Sequence, residues 1–173
     1  AVSPKSLPRC VELAKGGPVH IHIAEQEAEV DEVVAAYGKR PVEWLLEHQD
    51  VNERWCLIHA TQMEPHETEA LAKSGAVAGL CPMTEANLGD GIFDGARYLK
   101  HSGRFGIGSD SNIRIGLTEE LRLLEYSQRF RDKSRAVLAK EGSSTGRILF
   151  EGAARGGAQA AGRNSGALEE GRL

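Results

Sequence analysis

The sequence predicts an α/β fold built on a parallel sheet, and three observations carry that reading. Four short apolar runs, at residues 19–23, 55–59, 76–80 and 104–108, have the length and composition of strands. Helical patterning lies between each run and the next. No hairpin signal joins any two of them. Strands that alternate with helices in this way form βαβ units and pair in parallel.

In chain order, Ser3-Pro4 reads as a helix start, a cap residue followed by proline in the first turn. That helix is expected to reach about Lys15 and to stop at Gly16-Gly17-Pro18. Val19-His20-Ile21-His22-Ile23 is the first strand. Glu27 to Ala36 is helical and ends at Tyr37-Gly38. A further helix begins at Pro41, with Val42, Leu45 and Leu46 on one face. Trp55 to His59 is the second strand. Glu64 to Ser74 is the helix after it, closed by Gly75. The third strand, Ala76 to Leu80, runs into an expected long loop through Cys81-Pro82 and Leu88-Gly89-Asp90-Gly91. A helix near Asp94 to Lys100 precedes the fourth strand, Arg104 to Gly108. Thr118 to about Arg131 is a strong helix, expected to be capped by Thr118 with Glu119 and Glu120 in its first turn. Asp132 to Thr145 is a polar loop, Ile148 to Ala161 a small-residue helix, and Gly162 to Leu173 is irregular.

The chain has 173 residues, of which 40% are hydrophobic and 27% charged, enough for a domain with its own core. A net charge of −4 with no basic stripe argues against nucleic acid. No run approaches the length of a membrane helix and no signal peptide is visible. Cys10, Cys56 and Cys81 have no CxxC spacing, so they predict neither a disulfide framework nor a zinc knuckle. Cys56 and Cys81 read as small core residues of a cytoplasmic protein. The chain begins at Ala1 and breaks off after Leu173 with neither end resembling a natural terminus, so a piece of a longer protein is expected.

Several strands end in residues foreign to a core. The first runs into His22 and Glu25, the second ends on His59, and the fourth is followed by Ser109-Asp110-Ser111-Asn112. Parallel α/β folds gather ligand and catalytic groups at the carboxyl ends of their strands. Each residue also has a plainer reading. Glu25 could be an acid at a helix N-terminus, Asp110 a turn cap, and His59 a buried, satisfied histidine. His48, His66 and His101 fall on helix surfaces and are expected to face solvent. Arg129, Arg131, Lys133 and Arg135 read as the solvated end of a helix.

Taken together these residues resemble a known family. His22-Ile23-Ala24-Glu25 resembles the HxxE motif on strand five of amidohydrolase-superfamily deaminases. Leu57-Ile58-His59-Ala60 resembles their strand-six histidine, and Gly106-Ile107-Gly108-Ser109-Asp110 their strand-eight aspartate. His59 follows His22 by 37 positions and Asp110 follows His59 by 51, in the family's order. Within the superfamily, three longer stretches resemble the formimidoylglutamate deiminases: His20 to Gln26, Arg54 to Thr61, and Gly79 through Phe93.

The resemblance implies the C-terminal half, strands five to eight, of a TIM-type (β/α)8 metal-dependent hydrolase barrel. Residues 1–135 would form four βα units. Residues 136–173 would form a polar loop, a trailing helix and the start of the return to a truncated β-sandwich domain. It also implies one divalent ion, zinc, held by His22 and Asp110, with the other ligands on a strand-one HxH pair upstream. His20, one pleat below His22, is then structural or supports the ligand. Asp110 would also accept the water proton, His59 would steady the attacking hydroxide, and Glu25 would shuttle the proton to the leaving nitrogen. The implied reaction is hydrolysis of a C=N bond in a small acidic substrate, as in histidine degradation. The arginine that binds its carboxylate is expected just upstream, and the full-length form is expected to be a homodimer. A purine or pyrimidine deaminase of the same superfamily is the alternative enzyme. An inactive half-barrel fragment is the alternative of another class.

Overall fold

The computed structural model describes residues 2–172, and four parallel strands form its centre. They are β1 (Val19–Ile23), β2 (Trp55–His59), β3 (Val77–Leu80) and β4 (Arg104–Ile107), paired in the order β1-β2-β3-β4. Each strand is joined to the next through helices: α2 (Glu27–Tyr37) and α3 (Pro41–His48), then α4 (Pro65–Ser74), then α5 (Pro82–Leu88) and α6 (Gly95–Lys100). Helices α1 (Leu7–Leu13), α7 (Leu117–Asp132) and α8 (Thr145–Ala160) complete the chain. Among the described residues no helix is long and apolar enough to cross a membrane.

The two faces of the sheet differ because side chains alternate along each strand. Ile23, Trp55, Leu57, Ala78, Leu80 and Phe105 point outward into one core with Val42, Leu45, Leu71 and Leu124 from the helices. The inner face carries His20 and His22, exposed, beside Cys56, Ile58 and Gly79. The last turn of α8 covers part of it, with Ala160 packed against Cys56 and Val77. Gln159 anchors that turn below the strands by donating to the carbonyls of Glu53 and Gly75, which precede β2 and β3.

Small residues in α8 are a consequence of this close approach. An added Cβ at Gly156 would overlap the Phe105 carbonyl oxygen, and one at Gly106 would stand 3.3 Å from Gly157. Elsewhere a buried ion pair fixes the helix layer. Glu67, fully buried, accepts from Arg40 Nε at 2.6 Å and from the Glu43 backbone N–H at 3.1 Å, joining α3 to α4. A buried carboxylate is tolerated only with such partners.

Three sequence expectations are corrected. The first helix starts at Leu7, because Pro8 has no N–H to bond the Pro4 carbonyl and must itself occupy the first turn. Ser3 still accepts from Ser6 and Leu7, but as a turn. The expected loop after β3 contains helix α5, with Pro82 in its first turn and Gly89 closing it at φ 76°. Finally, α7 is capped by Gly116 without a side-chain bond rather than by Thr118; Glu119 and Glu120 stand in its first turn as expected, with Glu120 buried.

Candidate active site

The carboxyl ends of the strands turn sharply, and the candidate residues sit on those turns. Ala24, His59, Ala60 and Asp110 have φ of 51°, 67°, 50° and 51°. Non-glycine residues rarely adopt this region, which costs free energy and clusters at functional sites. Strict alternation would put the His59 side chain on the outer face with Trp55 and Leu57. With left-handed backbone at His59 and Ala60, its ring instead meets that of His22, with centroids 5.5 Å apart.

His59 is 1% exposed and lies between two carboxylates. Its Nδ1 is 3.2 Å from Glu85 Oε1, and its Nε2 is 3.6 Å from Glu25 Oε1. Burial disfavours the charged ring, but the hydrogen bond to Glu85 and the charges of Glu25, Glu85 and Asp110 outweigh it. The pKa of His59 is therefore raised above the ordinary histidine value.

The Glu25 carboxylate faces His59, while Glu29, in the first turn of α2, holds the backbone of the turn that precedes the helix. The two oxygens of Glu29 accept from the backbone N–H groups of Ala24 and Glu25, each at 2.9 Å. Asp110 has a turn role as well: its Oδ1 accepts from Ser111 N–H at 2.7 Å. Its carboxylate nonetheless comes within 4.8 Å of His59 and Cys81 ligand atoms, the three-residue group among the described residues with metal-holding spacing. His22 lies outside that group, yet His22, Cys81 and Asp110 border one cavity of about 340 Å³ on the inner face. His20 borders it too, and its Nε2 is 2.8 Å from the Ala160 carbonyl, so it bridges β1 to the end of α8.

The sequence reading passed over two residues of this site. Cys81 is buried as expected, but it faces the site, and its thiol is pushed up to about 12, first by burial and then by Glu85, Asp110 and Glu120. Glu85, expected in a loop, lies in α5 and is buried against His59. The signal for Cys81 was its place one residue past a strand end. For Glu85 it was the Pro82 to Gly89 frame, which marks a helix with Glu85 in its first turn. Asn112 ties the surrounding loops together, donating to Thr84 Oγ1 at 2.7 Å and Ser109 O at 2.6 Å. His48 and His66 are exposed; His101 is half-buried, 3.6 Å from Glu69. The basic helix end is tied down, Arg129 to Glu125 and Arg131 to Asp94 and Asp132.

Known proteins share this fold. Residues 1–173 match the amidohydrolase family. The formimidoylglutamate deiminase of Pseudomonas aeruginosa is 54% identical over 156 residues, covering 90% of this chain and 34% of that protein. The crystal structure of an amidohydrolase from Brucella melitensis superposes with a TM-score of 0.96 at 55% identity, over 99% of this chain and 38% of that one. An adenosine deaminase from Xanthomonas campestris with bound zinc superposes with a TM-score of 0.88 at 27% identity, again over 99% of this chain and 38% of its own. The chain thus spans little more than a third of the proteins it matches.

Proposed function

We propose that this chain, which belongs to the amidohydrolase family, supplies part of the active site of a metal-dependent deiminase. The reaction adds water to the C=N bond of N-formimidoyl-L-glutamate and yields N-formyl-L-glutamate and ammonia, as in histidine degradation. The observation that carries the reading is the meeting of imidazole and carboxylate at one rim, with His59 Nε2 3.6 Å from Glu25 and its ring 5.5 Å from that of His22. The substrate class is supported by the similarity to the Pseudomonas deiminase.

A divalent ion, with zinc the first candidate, fits the donors present. Imidazole nitrogen from His22 and carboxylate oxygen from Asp110 border the same cavity and are types that zinc takes. Charge points the same way, because Glu25, Glu85 and Asp110 converge on His59 while among the described residues no lysine or arginine borders the cavity. A cation there offsets that excess. The neutral Cys81 thiol is not assigned as a ligand, and the remaining ligands come from the longer protein. When bound, the ion supplies Lewis acidity that brings the pKa of water toward neutrality. Asp110 accepts a proton from the attacking water. His59 holds the attacking oxygen through Nε2. Glu25 carries the proton to the departing nitrogen, so that it leaves as ammonia.

A second reading, deamination of a purine ring, is favoured by the likeness to the zinc-bound adenosine deaminase. Ammonia release by the longer protein decides between them, with N-formimidoyl-L-glutamate and adenosine as parallel substrates. Turnover of the linear substrate alone is expected. Turnover of adenosine alone would keep the residue roles and remove the substrate. Ammonia from neither would leave an inactive piece.

A further inference from the structure

We infer that Glu85 is a positioning residue for His59: its buried carboxylate holds Nδ1 of the imidazole and so turns Nε2 toward Glu25 and the cavity. The inference rests on the reading of His59 given above and extends it to a residue on another element.

Four observations meet at this point. Glu85 and His59 are both buried, with side chains 5% and 1% exposed. A single oxygen, Glu85 Oε1, lies 3.2 Å from His59 Nδ1 and accepts from the Cys81 backbone N–H at 3.1 Å. The other nitrogen of the same ring faces Glu25 at 3.6 Å. The backbone of His59 is left-handed, so the strand ladder does not by itself fix the ring's direction.

An ionised carboxylate only accepts hydrogen bonds, so the nitrogen that meets it carries the proton. Nδ1–H is then committed to Glu85, and Nε2 is the nitrogen left to face the reacting groups. A carboxylate behind a histidine fixes ring orientation and tautomer in this way wherever the far nitrogen has chemistry to do. The bond from Cys81 N–H holds Glu85 Oε1 in place, and α5 gives the carboxylate a rigid base. Burial removes the water that would otherwise compete for Nδ1.

The test uses the longer protein with 15N-labelled histidine and reads the ring-nitrogen shifts of His59 beside kcat and KM. The unmodified protein is expected to show a protonated Nδ1. Glu85→Leu removes the acceptor. It should abolish that bias and lower kcat by about 10–100-fold, the usual cost of losing a supporting partner, with KM changed little. Glu85→Gln keeps an acceptor oxygen and should retain both the shifts and most of the turnover. Glu85→Asp keeps the charge but withdraws the oxygen by one methylene, and should behave like the leucine variant. It also serves where the leucine variant does not fold. An unprotonated Nδ1 in the unmodified protein, or shifts indifferent to both Glu85→Leu and Glu85→Asp, would overturn the inference. Should the shifts respond as expected while no deaminase substrate is turned over, the positioning stands and the proposed function falls. Turnover with indifferent shifts gives the reverse.

Discussion

Glu25 and Glu29, four positions apart, divide two duties that a single acid could have filled. Glu29 accepts the backbone N–H groups of Ala24 and Glu25, so the Glu25 carboxylate is left to face His59. A proton carrier that holds no metal should be separable from the ligands by mutation. In the longer protein, Glu25→Gln is expected to lower kcat by about 10²–10⁴-fold, the range for loss of a general acid–base group, with metal content unchanged. His22→Ala and Asp110→Ala should instead lose the metal and the activity with it. Metal per chain measured beside ammonia release checks this, and a Glu25→Gln protein without metal would sink the assignment. The thiols give a second prediction. Burial pushes Cys56 up to about 11, whereas Cys10 is exposed. A thiol reagent at neutral pH should therefore label Cys10 at once and reach Cys56 only on unfolding. A thiol pKa raised in the folded state adds stability below its unfolded pKa. That contribution is lost as pH rises through about 11, so denaturant midpoints should fall over that alkaline range. A midpoint unchanged there, or fast labelling of Cys56, would contradict the burial. Residue type explains what was legible: His22, His59 and Asp110 are foreign to apolar strands and stand out. Cys81 and Glu85 did not. A cysteine after an apolar run looks like core, and the partner of Glu85 is 26 positions away across the fold.

Strands and most helices were legible because their signals are local: Gly38 and Gly75 close α2 and α4 in the left-handed conformation expected of helix-ending glycines. Helix α5 was hidden by its length of 7 residues and lack of an apolar stripe, while its buried Glu85 and the Glu120 bond to Met83 N–H are tertiary facts. For α8 the small residues were visible but their reason was not. Gly156 faces the Phe105 carbonyl and Gly152 the Phe105 ring, so the helix lies directly on β4. Overpacking such a contact typically costs about 1–3 kcal/mol, because backbone cannot yield as a flexible side chain does. Gly156→Ala is thus expected to destabilise the protein by about that amount, although alanine favours helices. Gly146→Ala, where an added Cβ meets nothing within 4 Å, is the control and should be neutral or stabilising. Equal melting temperatures for the two variants would show that α8 does not rest on β4 as described.

At the scale of the molecule, the sheet is covered unequally. Helices bury its outer face, but on the inner face His20 and His22 are exposed and β1 has no neighbour on its far side among the described residues. Parallel sheets normally have both faces buried, and an unpaired edge invites another strand. The chain spans 34% of the Pseudomonas relative, so the cover for this face has room to lie in the rest of a longer protein. In β1 the Val19 N–H donates to the Arg54 carbonyl of the β2 side. A parallel ladder alternates, which turns the amides of His20 and His22 toward the open edge. Two measurements follow from this geometry. Residues 1–173 alone should self-associate with rising concentration in sedimentation velocity, while the longer protein keeps one discrete state. Hydrogen exchange should also distinguish them: the His20 and His22 amides exchange fast in the dilute chain and slowly in the longer protein, whereas Leu57 in β2 is protected in both. A chain that stays monomeric at every concentration and melts in one sharp transition would show that the exposed face needs no cover. Fast exchange at His20 and His22 in the longer protein would show instead that the cover lies elsewhere, and the half-barrel reading of residues 1–135 would fail with it.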